Sequence, residues 1–198
     1  MYKNTHIAPD ELQGGNYKDI TFKQCQFSNA RLKLTSFHNC AFLSCDFTGV
    51  QFEMSSFQSC TFYQSKLSNL DFSNVECIFC TFTDSVIQNA VFSPMKVGGK
   101  NNKSFYNLKK TIFDKSNLSN TVFLCCDLTE ASFVSTVLSG AIFERCTIKK
   151  TDYSEAQIEN VNFSQSKIED AILDFEGFIN FGLSQGFALN RKDETINL

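Results

Sequence analysis

Large apolar side chains recur at every fifth position along most of this 198-residue chain. Counting from Leu12 gives Tyr17, Phe22, Phe27, Leu32, Phe37 and so on to Phe92, with Cys77 the one small residue in the series. A second series runs from Leu108 through Phe113, Leu118 and Phe123 to Leu173. Together they hold 31 positions and 16 of the 22 Phe, so one kind of apolar slot is filled again and again. Two residues before most of these positions the side chain is small, as at Cys25, Ala30, Thr35, Thr121 and Ala131, and the residues between are mostly polar. A period of five suits neither a 3.6-residue helix nor an alternating strand. It suits a chain that turns a corner every five residues and points one large and one small side chain inward on each side. Four such sides close one coil, and coils stack through strand-type hydrogen bonds about 4.8 Å apart.

The coil makes its own test: residues 20 apart must lie one above another. Phe22, Phe42, Phe62 and Phe82 obey this, as do Phe123, Phe143 and Phe163, and Asn29, Asn69 and Asn89 form a polar ladder at a corner. Each buried Phe contributes about 1.5–3 kcal/mol, and stacked rings add to that.

The segments Ala-Arg-Leu-Lys-Leu (30–34), Cys-Asp-Phe-Thr-Gly (45–49), Cys-Asp-Leu-Thr-Glu (126–130) and Ala-Ile-Phe-Glu-Arg (141–145) share a small first and a Leu/Phe third position, with a polar residue between them in all but the last. In this the chain resembles the pentapeptide-repeat family over roughly residues 12–173. The resemblance implies an all-β fold: a right-handed quadrilateral β-helix of about eight coils, closed by a short C-terminal capping or dimerisation helix.

Nine Cys, with Cys77 and Cys80 spaced as a C-x-x-C pair, invite a metal or disulfide reading. The repeat accounts for them better. Cys25, Cys40, Cys45, Cys60, Cys80, Cys126 and Cys146 fall in the small inward slot, where Cys acts as a compact hydrophobe. A parallel ladder keeps their β-carbons near 4.8 Å apart, beyond the roughly 3.5–4.5 Å that a disulfide needs. Reduced thiols, and a start without the apolar core of a signal peptide, lead us to expect a cytoplasmic protein. No run approaches the ~18 apolar residues of a membrane span.

Six segments are expected: an N-terminal cap (1–11), a first solenoid run (12–92), an interruption (93–107), a second run (108–173), a helix and short strand (174–189) and a polar tail (190–198). The interruption carries Pro94, a Gly pair and no acid. It reads either as a bulged coil, with Phe105 in the Phe ladder, or as a projecting loop in which Lys96, Val97, Lys100, Lys103, Phe105 and Tyr106 contact a partner. After Leu173 the pattern turns helical, with Asp174 as N-cap, Phe175, Phe178, Ile179 and Leu183 on one face, Gly186 as the stop and Phe187-Ala188-Leu189 as a strand. This end reads as a cap over the last coil or, through Phe175, Phe178, Ile179, Leu183 and Phe187, as a homodimer contact.

Catalysis needs titratable groups converging in a pocket, and His6 and His38 are the only histidines. We therefore expect a binding protein, not an enzyme, with no cofactor or metal. Eight coils span about 37 Å and an end-to-end dimer about 75 Å, the length of about 22 base pairs. Size, the split solenoid and Leu183-Ser184-Gln185-Gly186-Phe187-Ala188-Leu189 resemble one branch of the family, that of the Qnr quinolone-resistance and the microcin- and albicidin-immunity proteins. That resemblance implies a DNA mimic that binds a type II topoisomerase (DNA gyrase), inhibits it or protects it from a poison, and touches no nucleic acid itself. Charge agrees in part: residues 111–183 carry eleven acids against five bases, among them Glu144, Asp152, Glu155, Glu159, Glu169, Asp170 and Asp174, whereas residues 1–93 carry eight against six. The alternative is a scaffold or secreted effector with a different protein partner.

Overall fold

The computed structural model describes residues 1–94 and 105–189. The chain winds as a four-walled β-solenoid of about eight turns, built from strands two to four residues long and one C-terminal helix. All pairing is parallel, and within each run the register offset is 20 residues: Phe22 sits opposite Phe42, and Phe42 opposite Phe62. We label the walls by their central columns. Wall A is centred on Phe22, Phe42, Phe62 and Phe82, wall B on Phe27 and Phe47, wall C on Phe52, Phe72 and Phe92, and wall D on Phe37, Phe57 and Cys77.

Stacking of aromatic rings holds the columns. On wall A the centroids of Phe42 and Phe62 lie 4.8 Å apart at 11°, and those of Phe62 and Phe82 lie 4.7 Å apart at 5°. Neighbouring walls meet edge to face, as with Phe42 and Phe57 at 5.7 Å and 79°. The interior is therefore packed by both favoured aromatic geometries at once. The small slots close the corners and cap the coils below: Ser65 Oγ donates to Phe42 O at 3.1 Å, and Thr151 Oγ1 to Leu128 O at 2.8 Å. Nearly every corner turns on a residue two positions after the central one, held at positive φ, such as Asn29 (62°), Asn89 (56°) and Gly49 (71°). At Gly49 a Cβ would stand 2.5 Å from Asn29 Oδ1 on the coil below, so any larger residue there must displace that side chain.

The segment 1–11, expected as a separate cap, forms the first coil instead. Tyr2 lies opposite Phe22 and stacks on it at 4.8 Å, and Ile7 is fully buried. The pentad series simply continues upstream of Leu12, with Tyr2 and Ile7 as its first members. At the other end the residues 187–189 form no strand; they follow the helix Phe175–Ser184 as irregular chain.

Candidate functional site

Across the interruption the register offset rises from 20 to 31 residues: Thr81 bridges to Ile112, Val86 to Asn117, and Phe92 lies opposite Phe123. Eleven residues are thus inserted where wall C turns into wall D, and the tube itself is not broken. Phe82 stacks on Phe113 at 5.2 Å and 8°, as if the two were one repeat apart. This also corrects the expectation for Phe105, which fills no ladder and is 53% exposed. Lys96, Val97, Lys100 and Lys103 lie outside the described residues.

The seam shows on wall D. Its outer sheet divides into Asn16–Lys18, Ser36–His38, Ser55–Gln58 and Val75–Ile78 below, and Tyr106–Asn107, Cys126–Asp127, Thr147–Lys149 and Lys167–Glu169 above. Tyr106, expected as a partner contact, is buried and has a structural task. It occupies a small slot, opposite Cys126, while Cys77 occupies a large one on the coil below. The exchange of sizes is compensating: the phenol fills space that Cys77 leaves free, and its hydroxyl donates to Val75 O at 2.7 Å. Burial, with Cys77 close by, pushes the Tyr106 hydroxyl well above its ordinary pKa. Below the seam lies a groove of about 630 Å³, lined by Met54, Val75, Glu76, Ile78, Phe105 and Tyr106 among others. Sequence reading missed this groove, because it arises only where two coils fail to pair.

The acids of the second run do not form one surface. Glu169 is paired on wall D with Lys149 and, at 3.5 Å, with Lys167. Lys149 holds the Glu169 carboxyl below its usual range and is itself raised by it. Glu144, on wall C, meets Arg145 at 3.2 Å. Asp170 sits at the corner between walls D and A. Burial works against ionisation of Asp127, but hydrogen bonds from Thr129 and the Lys109 ammonium keep its carboxyl below the usual range. Asp152, Glu155, Glu159 and Asp174 remain, on walls A and B and the corner between them. Ion pairs like those on wall D are worth little individually, yet they cancel the field on that side.

Asp174 joins this acidic side to the C-terminal helix. Its Oδ1 accepts from Gly177 N at 2.7 Å as the N-cap, and its Oδ2 accepts from Glu155 N. These two backbone donors hold its carboxyl below the normal range. Gly186 (φ 88°) ends the helix as expected, with Gly186 N donating to Leu183 O and Phe187 N to Gly182 O. Phe181 covers the last coil edge to face on Phe163 at 5.8 Å, and Gly177 is buried against it. Phe175, Phe178, Leu183 and Phe187 point away, 83, 69, 48 and 74% exposed, and Ile179 is intermediate. Phe178, Ile179, Leu183, Phe187 and Leu189 frame a hollow of about 390 Å³. Capping therefore uses one helix face, and no other described residue covers the more apolar one.

Two sequence models agree with this architecture: "Pentapeptide repeat region" matches residues 106–173 and "Pentapeptide repeats (8 copies)" matches residues 18–53, together just over half the chain. The chain belongs to the pentapeptide-repeat family. No curated protein matches this pentapeptide-repeat chain by sequence. Among solved structures, trypsin-treated QnrB1, a plasmid-mediated fluoroquinolone resistance protein, is 20% identical, with 96% of this chain and 100% of that one covered and a TM-score of 0.46. HetL, involved in heterocyst differentiation regulation in the cyanobacterium Nostoc sp. strain PCC 7120, is 12% identical, with 87% and 91% covered and a TM-score of 0.45. These likenesses concern the fold alone.

The cysteines of this pentapeptide-repeat protein lie where the repeat puts them: all nine are free and eight are buried, with Cys125 half-buried at a corner. Their thiols serve as weak donors to the coil below, as from Cys126 Sγ to Phe92 O at 3.3 Å. Burial pushes Cys45 up to about 12 and Cys80 and Cys126 well above the ordinary value. Among the described residues no group of three or more His, Cys, Asp or Glu is placed to hold a metal ion, and no helix is long and apolar enough to cross a membrane. His6 bridges to Gln26 on wall B and His38 ends a strand on wall D, so the two histidines lie on opposite walls.

Proposed function

We propose that this chain is a homodimeric binder of a type II topoisomerase, acting in the cytoplasm by filling the enzyme's DNA-binding surface. One observation carries the reading: the exposed apolar helix face stands at the same end of the rod as Asp152, Glu155, Glu159 and Asp174, acids that make no ion pair among the described residues. Joining two copies through Phe175, Phe178, Leu183 and Phe187 removes exposed apolar surface from water and brings both acidic sets to the centre of one long rod. A basic surface built for duplex DNA complements that centre. The two histidines, on opposite walls, favour binding over catalysis in this reading.

Gyrase supercoiling assays, with and without quinolone, albicidin or microcin, test the reading, together with light scattering for the dimer. Inhibition or protection is expected, and Glu155→Lys with Glu159→Lys abolishes it while the dimer persists. The absence of both inhibition and protection would refute the topoisomerase partner. A stable monomer would favour the scaffold alternative.

A further inference from the structure

Among the described residues, the last coil of the rod is covered over three walls and bare over the fourth. Its large inward residues are Tyr153, Ile158, Phe163 and Ile168, on walls A to D in turn. Tyr153 and Ile158 are buried and Phe163 lies under Phe181 of the helix, whereas Ile168 is 52% exposed. No other described residue of the central columns is exposed to that degree. The backbone of wall D agrees. Leu128 N donates to Thr147 O and Lys150 N to Glu169 O, both at 2.9 Å. The equivalent donors of the last coil, Ile168 N and Asp170 N, have no acceptor among the described residues, because Lys167–Glu169 is the end strand of its sheet. Beside this edge lies a hollow of about 590 Å³, bordered by Ser164 and Ile168 of the coil and by Phe181, Ser184 and Gln185 at the end of the helix. An open edge of this kind is a template for one more strand.

We propose that the chain's own C-terminal segment docks on this edge, with residues 195–197 as a further strand of wall D and Ile196 seated on Ile168. Residues 190–198 lie outside the described residues, and three observations point them here. The first is pattern: wall D closes with Thr147-Ile148-Lys149 and Lys167-Ile168-Glu169, and Thr195-Ile196-Asn197 repeats that order of polar, Ile and polar residues. The second is direction. Past Leu173 on wall A, the helix starts from the corner at Glu155, covers Phe163 on wall C and ends beside Ser164, where wall D begins. The third is reach. Phe181 borders both this hollow and the one lined by Leu189, and the six steps from Leu189 to Thr195 span about 20 Å of extended chain, against about 17 Å for one wall. Parallel pairing, as on every other coil, lets Ile168 N donate to Thr195 O and Asp170 N to Asn197 O. Glu194 then falls in the small slot, at little cost, because no coil lies above it and the carboxylate keeps its water. The added strand closes the edge to foreign strands and leaves the helix face as the rod end's contact surface. A second copy of the chain is the competing occupant.

Amide hydrogen exchange of the full chain, read residue by residue by NMR, tests this. It needs no topoisomerase, so its failure and that of the function proposed above are distinguishable. The Ile168 and Asp170 amides are expected to exchange at least about tenfold more slowly than in a free peptide. They should lose that protection in Ile196→Asp, which sets a carboxylate against Ile168, and keep it in Ile196→Val. Ile148 and Lys150, one coil below, should stay protected in every variant, as a check that the rod is intact. Free exchange of Ile168 and Asp170 in the unaltered chain would overturn the proposal. So would protection that survives Ile196→Asp; if that protection falls on dilution, the occupant is a second copy.

Discussion

The two solenoid runs have the same interior and different exteriors. Below the insertion the columns are dense in Phe, and Cys fills many small slots; above it Leu and Ile share the columns and Thr and Ala fill the slots. Yet the stack of Phe113 on Phe133, at 4.9 Å and 11°, repeats that of Phe42 on Phe62. Outside, the upper run gathers on walls A and B acids without an ion pair among the described residues, while the lower run carries apolar corners around wall D. The inward slots tolerate any residue of the right size, so they specify a tube and little else. What distinguishes one such tube from another is written on its walls.

If the interiors are equivalent, damage to either should cost alike. Phe62→Ala and Phe133→Ala, both fully buried, are each expected to lose about 3–5 kcal/mol in chemical denaturation. Phe62→Asp should abolish folding by circular dichroism, because an unpaired carboxylate would be buried in the column. A large difference between the two Ala variants would break the comparison and make one run the folding core.

Two buried tyrosines sharpen it with opposite signs. Tyr106→Phe leaves Val75 O without its donor at the seam and should cost about 1–3 kcal/mol. Tyr153 is fully buried and its hydroxyl has no partner among the described residues, so Tyr153→Phe should gain about 1 kcal/mol, read as a higher unfolding midpoint. Loss on both changes would mean that the upper column holds an unseen partner for Tyr153.

Smaller effects probe the ends and the surface. The Asp174 carboxyl is held below its unfolded value, so its contribution is present above that value and disappears as pH falls through the lowered one. Helical ellipticity should therefore drop at acid pH, and Asp174→Ala should show the reduced signal already at neutral pH. Thiol labelling of the native protein should modify Cys125 alone, and its rate should keep rising beyond the ordinary thiol range because burial raises that pKa. Rapid labelling of several cysteines would mean that the small slots open. Smallest of all, Lys149→Met should leave the midpoint unchanged, since its pair with Glu169 is solvent-exposed.

Sequence alone determined the tube. The fivefold spacing of Phe and Leu admits one architecture, because only a chain that turns every five residues can bury them all, and Cys25 through Cys146 fall into place as small inward residues. The cap and stop of the helix at Asp174 and Gly186 were equally legible, since both are local. Tertiary structure decided whatever depends on which coil lies beside which. It assigned Phe82 to Phe113 across the insertion, turned Tyr106 inward to complement Cys77, and sent Glu169 to a wall where Lys149, one coil away, neutralises it. It also gathered Leu34, Met54 and Phe79 around one wall. Inward slots obey a rule of spacing that any window of the chain displays. Outward neighbours are set by a register of 20 or 31 residues, and a single insertion changes that register for everything beyond it.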